Sequence, residues 1–249
     1  MDNERRFMRT KLLLGSEGYR QLTESSVVIV GLGAVGYTAA EALVRTGVGN
    51  ITVVDCDIIE ESDFNRHLLG TEENIGVSKV QAALKRLKSI NSDVFVDVRE
   101  RFFHTDTIPE IFDRRYDFLI DAIDSLNPKT ELIKYCLNTN QPFISTMGAA
   151  RRTRPDMVRI STISQGRICP LLRQIKRRLR SEGIYNDFPV VYSEEEVRGE
   201  VIKGEEMYYS RGRLRDVLPS SVIGTQIFGL YAASFAIDFL TENKRRFRT

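Results

Sequence analysis

Between Val27 and Asp57 the chain reads VVIVGLGAVGYTAAEALVRTGVGNITVVDCD. An apolar run, Val27 to Val30, enters the turn Gly31-Leu32-Gly33-Ala34-Val35-Gly36. A helical pattern follows, and a second apolar run, Ile51 to Val54, ends on Asp55. Glycines at these positions permit a tight turn and close backbone approach, so a phosphate can sit on the free amides at a helix N-terminus. Asp55 is placed to accept hydrogen bonds from a ribose. Two further acids, Asp121 and Asp124, follow the short apolar run Phe118 to Ile120. Such a pair suits a magnesium ion, which takes one or two carboxylates together with phosphate oxygens and waters. Arg66 and Lys79 are the cations available to neutralise phosphates. A dehydrogenase needs neither the metal nor two such cations beside its dinucleotide, so ATP fits better than NAD. The bland readings are an N-cap for Asp124, ahead of a helix from Leu126, and a solvated helix face for Lys79.

The elements that must position these groups read as alternating strands and helices. After Asp57 a long polar stretch, Ile58 to Gly76, carries Asn65-Arg66-His67, and loops of that length tend to carry function. Val77 to Ile90 is an amphipathic helix, with Val80, Leu84 and Leu87 on one stripe. Val94 to Val98, Phe118 to Ile120 and Pro142 to Ser145 read as strands, and Leu132 to Leu137 as helix. The expectation is an α/β fold with a doubly wound, mostly parallel sheet and a C-terminal extension. Ligands in such sheets lie beyond the carboxyl ends of the strands, where all of these groups fall.

The flanks carry weaker signals. Arg5 to Tyr19 reads as a short basic helix or arm, either a solvated end or one whose Arg6 or Arg9 reaches a neighbour's phosphate site. In the second half, Leu171, Leu172, Ile175 and Leu179 share one helical face, while Arg173, Lys176, Arg177, Arg178 and Arg180 make the rest basic. In a chain of 249 residues and net charge +2, that concentration points to RNA or phosphate contact. Ser193 to Asp216 is highly charged and reads as a mobile crossover loop. Lys244 to Arg248 reads as a basic, frayed tail.

Other classes are disfavoured. Cys56, Cys136 and Cys169 include no CxxC pair, so neither a disulfide framework nor a four-cysteine zinc site is indicated, which suits the cytoplasm. MDNERRFMRTK lacks the apolar core of a signal peptide. Ile223 to Leu240 is the longest apolar stretch, but Thr225, Gln226 and Asp238 interrupt it. A buried or interface helix is expected there rather than a membrane span.

Taken in order, GLGAVG, VVDCD, NRH, SKVQA and DAIDS resemble the ATP-binding core of the ubiquitin-activating-like adenylyltransferases, the ThiF/MoeB superfamily, over roughly residues 5–150. The resemblance implies a Rossmann-like fold that uses ATP and Mg²⁺. It implies Asp55 on the ribose, Asn65, Arg66 and Lys79 on the phosphates, and Asp124 on the magnesium. Gly31, Gly33, Ala34, Gly36, Asp57, Asp121 and Ser125 would complete the nucleotide site. Arg9 falls where the superfamily often supplies an arginine across a dimer. His67 stands where the family usually has glutamine.

DAIDSLNPKTELIKYC, VRTGVGNITVVD, the basic helix after CPLL, and FPVVYSEE further resemble the TcdA branch, the tRNA threonylcarbamoyladenosine dehydratases. This implies one unit over 1–249, with a nucleotide-binding core at 1–150. The part at 151–249, with its loop at 193–216, would face tRNA and form a homodimer. The implied activity is ATP-dependent cyclisation of threonylcarbamoyladenosine, with Arg66, Lys79 and Asp124 carrying the chemistry. The alternative is activation of the C-terminal glycine of a sulfur-carrier protein, with a carrier or desulfurase partner. In a variant of it, Cys169 would act as a nucleophile through a thioester or persulfide.

Overall fold

The computed structural model describes residues 3–202 and 217–241. Seven strands form one sheet: β1 Ser26–Val30, β2 Asn50–Asp55, β3 Phe95–Glu100, β4 Phe118–Asp121, β5 Phe143–Thr146, β6 Val158–Thr162 and β7 Pro189–Ser193. Their order is β3-β2-β1-β4-β5-β7-β6, and every neighbouring pair is parallel except β6 with β7. The helices are α1 Asn3–Arg6, α2 Met8–Glu24, α3 Ala34–Thr46, α4 Lys79–Ile90, α5 Ile108–Ile111, α6 Leu126–Thr139, α7 Pro170–Ser181 and α8 Val222–Thr241.

The unbroken apolar run in β1 has a direct cause. Val27 and Ile29 point into a core shared with α3, α4 and α8, while Val28 and Val30 point into a second core shared with α6 and α7. A strand covered on both faces has no polar face to show. From β1 the chain moves outward through β2 and β3, then returns to β4 on the other side of β1. The crevice at that reversal, between the carboxyl ends of β1 and β4, is where such sheets hold ligands.

Helix α8 backs this crevice. A methyl group at Gly229 would lie 2.7 Å from Thr38 Cβ, so α8 packs closely on α3. Phe118 meets Phe239 and Phe235, with ring centroids 5.0 and 6.0 Å away. Among the described residues α8 alone is long and apolar enough to cross a membrane by length and composition, but its Phe228, Ala232, Ala233 and Ala236 lie in the core. Truncating Phe228 to alanine would cost about 3–5 kcal/mol.

Two expectations need correction. The arm is not one helix: at Gly15 the backbone turns to φ 72°, ψ 166°, a conformation open essentially to glycine, and α2 kinks there. The crossover loop does not begin at Ser193, which belongs to β7. Glu195 is buried and accepts hydrogen bonds from the Thr153 amide, the Thr153 hydroxyl and the Arg154 amide at 2.8–2.9 Å. Residues 203–216 and the tail from Glu242 lie outside the described residues.

Candidate active site

The glycine turn leaves β1 beside the turn that follows β4. Gly31 has φ 89°, and a methyl group on it would lie 2.8 Å from the backbone of Ala122. The two strand ends therefore touch. Gly33 differs: a methyl there would meet nothing within 4 Å, so its missing side chain opens the crevice rather than relieving a clash. Helix α3 starts at Ala34, and its first amides have no intrahelical acceptor. These are the donors an anion would take.

Asp55 holds the turn from β2. One carboxylate oxygen accepts the Leu32 amide at 2.5 Å and the other accepts the Asp57 amide at 2.8 Å. Burial pushes the Asp55 carboxyl up, against the pull of Lys79. Each oxygen keeps a lone pair for a ribose hydroxyl.

Lys79 opens α4 and is largely buried, with its ammonium 3.4 Å from Asp57 and 3.9 Å from Asp63. Burial alone would lower its pKa, but Asp55, Asp57 and Asp63 outweigh that and hold it above the usual lysine value. It is therefore a permanent cation at the crevice, not a general base. Arg66 pairs with the same Asp63 at 3.1 Å and donates to the Ser62 carbonyl at 2.5 Å. Asp63 thus ties Arg66 and Lys79, the two candidate phosphate-binding cations, together.

The expected pair of metal-binding acids divides. Asp121 is fully buried, 2.9 Å from Lys129, and also accepts from the Ser145 hydroxyl at 2.6 Å and the Ile123 amide at 3.1 Å. Burial works to raise Asp121 and to lower Lys129, while the charge of each opposes the change in the other. Asp121 is accordingly corrected from a metal ligand to half of an internal ion pair. Asp124, three residues on, is exposed at the mouth of the crevice. The N-cap position of α6 belongs to Ser125, whose hydroxyl donates to Asp124 at 3.1 Å. An exposed carboxylate just past the carboxyl end of β4 fits a magnesium ion that keeps most of its waters.

Asn65 donates to the Ser220 carbonyl at 2.8 Å, and Gln226 of α8 donates to the Arg66 carbonyl at 2.6 Å. The polar interruption at Gln226 in the apolar helix thus serves the loop that carries Arg66. His67 is buried against the turn, with Nε2 2.8 Å from the Leu32 carbonyl.

On α7, the apolar face Leu172, Ile175 and Leu179 is buried as expected. The five cations are not equivalent. Lys176 donates to the Ser164 and Gly166 carbonyls at 2.8 and 3.2 Å, and Arg178 donates to Asn127. Arg173, Arg177 and Arg180 are exposed, and Arg173 and Arg177 border an open surface depression with Pro170 and Gln174. Cys169, just before α7, is 1% exposed, so its thiol is closed to a protein substrate. Burial and the neighbouring carboxylates of Asp57 and Asp55 push the Cys56 thiol up to about 12, which disfavours its thiolate.

In the N-terminal arm, Arg6 is held by Asn91 at 3.0 Å, and Phe7 packs against Gly47 at the far end of α3. Arg9 is exposed close by, roughly 20 Å from the glycine turn by the length of α3. It does not join its own chain's site.

Residues 5–248 match the ThiF family. A protein of Bacillus subtilis (strain 168) named tRNA threonylcarbamoyladenosine dehydratase is 38% identical over 189 residues, 76% of this chain and 74% of that one. Its namesake in Escherichia coli (strain K12) is 33% identical over 177 residues, 71% and 66% of the two chains. The crystal structure of the E. coli tRNA N6-threonylcarbamoyladenosine dehydratase TcdA in complex with ATP superposes with a TM-score of 0.84 at 28% identity, covering 96% of this chain and 95% of that one. The chain belongs to the ThiF family, and what it is similar to within that family is the tRNA threonylcarbamoyladenosine dehydratases.

Proposed function

We propose that this protein is an ATP-dependent tRNA threonylcarbamoyladenosine dehydratase. The observation that carries the reading is the convergence of the open glycine turn, Asp55, Arg66 and Lys79 on one crevice, in a chain similar over most of its length to proteins of that name. The threonyl carboxylate of the modified nucleoside attacks the α-phosphorus of ATP and expels pyrophosphate. The carbamoyl group of the same residue then displaces AMP and closes a ring, for a net loss of one water. The second step is intramolecular, so proximity supplies it and no enzyme nucleophile is needed.

The chain's own residues bind and neutralise. Asp55 orients the ribose, the amides opening α3 and the guanidinium of Arg66 hold phosphate oxygens, and Lys79 offsets charge developing at the α-phosphate. Asp124 would hold a magnesium ion, which would supply further charge neutralisation at the phosphates. Arg173, Arg177 and Arg180 are the candidate tRNA contacts. The exposed Arg9, remote from its own crevice, supports a homodimer in which it serves the other copy. Three free cysteines, two of them buried, suit a reducing cytoplasm.

The deciding experiment incubates the protein with Mg-ATP and tRNA bearing threonylcarbamoyladenosine, digests the RNA and weighs the nucleoside, with Asp124→Ala in parallel. Loss of one water that requires both ATP and Asp124 is the expected result. An unchanged nucleoside mass, with pyrophosphate exchange instead stimulated by a carrier protein ending in glycine, would replace this reading with the carrier-activating one.

A further inference from the structure

His67 interrupts the family pattern, and its surroundings give it a definite task. Its Nδ1 accepts the Leu69 amide at 3.1 Å, which fixes that nitrogen as unprotonated. The other nitrogen, Nε2, must therefore carry the hydrogen, and it donates to the Leu32 carbonyl at 2.8 Å. The ring lies over Tyr37 of α3, with centroids 5.7 Å apart and planes 25° apart, and the residue is 3% exposed. Leu32 is thus held from both sides: its amide by Asp55 at 2.5 Å and its carbonyl by His67. One side chain fixes how far the phosphate-binding turn stands from Asn65 and Arg66, the two residues directly before it.

We infer that His67 is a positioning residue that clamps the glycine turn to the Asn65-Arg66 loop and so supports ATP binding. The inference rests on the reading of this crevice as an ATP site. The charged groups around the ring are Lys79 from α4, Asp63 and Arg66 from its own loop, Asp55 behind Leu32, and Glu41, which bonds the Tyr37 hydroxyl at 2.5 Å. Burial, aided by Lys79 and Arg66, pushes the His67 pKa down despite the Leu32 bond and Asp63, which favours the neutral ring that makes both bonds. Glutamine can make the same two bonds, with its amide donating to Leu32 and its oxygen accepting from Leu69, and it does not titrate.

The test is Mg-ATP affinity of the full-length protein, by calorimetry, for wild type, His67→Gln and His67→Phe. His67→Phe, which keeps the ring stack and loses both bonds, should bind Mg-ATP at least about fivefold more weakly than wild type, the worth of one hydrogen bond, and His67→Gln should recover that loss. A folded His67→Phe with wild-type affinity, or a folded His67→Gln that binds no better than His67→Phe, would overturn the inference. Wild type that binds no ATP would overturn the ATP reading itself, so the two failures are distinguishable.

Discussion

Beneath the nucleotide turn, the ammonium of Lys129 lies 2.9 Å from a carboxylate oxygen of Asp121, and neither side chain has exposed surface. Lys129 also donates to the Ile123 carbonyl at 2.8 Å, and Thr146 donates to the Asp121 carbonyl at 3.1 Å. The pair therefore joins the ends of β4 and β5 to the first turns of α6, and it sets the path of the loop that presents Asp124.

Removing one half of such a pair strands the other in the core. Lys129→Met should destabilise the protein by about 3–5 kcal/mol. Asp124→Asn, at the surface, should stay within about 0.5 kcal/mol of wild type while losing cyclisation. Urea unfolding of both variants, with matched m-values, checks the contrast.

Arg66 and Lys79, both paired with Asp63, sit at different depths, 31% and 10% exposed. Arg66→Ala should lower kcat by about 10²-fold or more with little loss of stability, since the guanidinium is partly exposed. Lys79→Met should cost as much activity and stability too, because it leaves Asp55, Asp57 and Asp63 without their shared cation. Thermal melts beside single-turnover rates separate the two. An equally stable Lys79→Met would contradict the ion cluster.

On α7 the distinction is between cations that reach outward and cations already engaged. The double reversal Arg173→Glu and Arg177→Glu should weaken tRNA binding and reduce the slope of log affinity against log salt by about one for each phosphate contact removed. ATP affinity should be unchanged. Lys176→Met, which loses two carbonyl contacts, should act chiefly on stability. Filter binding of tRNA across a salt series decides it.

Cys169 should be dispensable. Cys169→Ala removes a buried sulfur at a cost of about 1 kcal/mol and should leave the yield of cyclised nucleoside intact. Loss of product with a normal melting curve would bring a thiol-bound intermediate back into consideration.

The legible part of the protein is the part that local chemistry dictates. The glycine turn, Asp55 at the end of the next strand, the buried run in β1 and the amphipathic stripes of α4 and α7 all follow from period, turn chemistry and a few neighbouring residues. These bring the glycine turn and Asp55 to the carboxyl ends of neighbouring strands. Asp121 and Asp124 stand three residues apart and look alike in a string of letters. Tertiary structure alone makes one an internal ion and leaves the other at the surface, because Lys129 and Ser145 converge on the first. The same holds for Asp63 bridging Arg66 and Lys79, for Gln226 reaching from α8 to the Arg66 carbonyl, and for two of five cations on α7 being engaged at home. Apart from the Asp63–Arg66 pair, three residues apart, each contact joins groups brought together by the sheet and its helices rather than by a repeating interval along the chain. Burial and pairing are properties of the assembled core, and they decide which polar side chains remain to do chemistry.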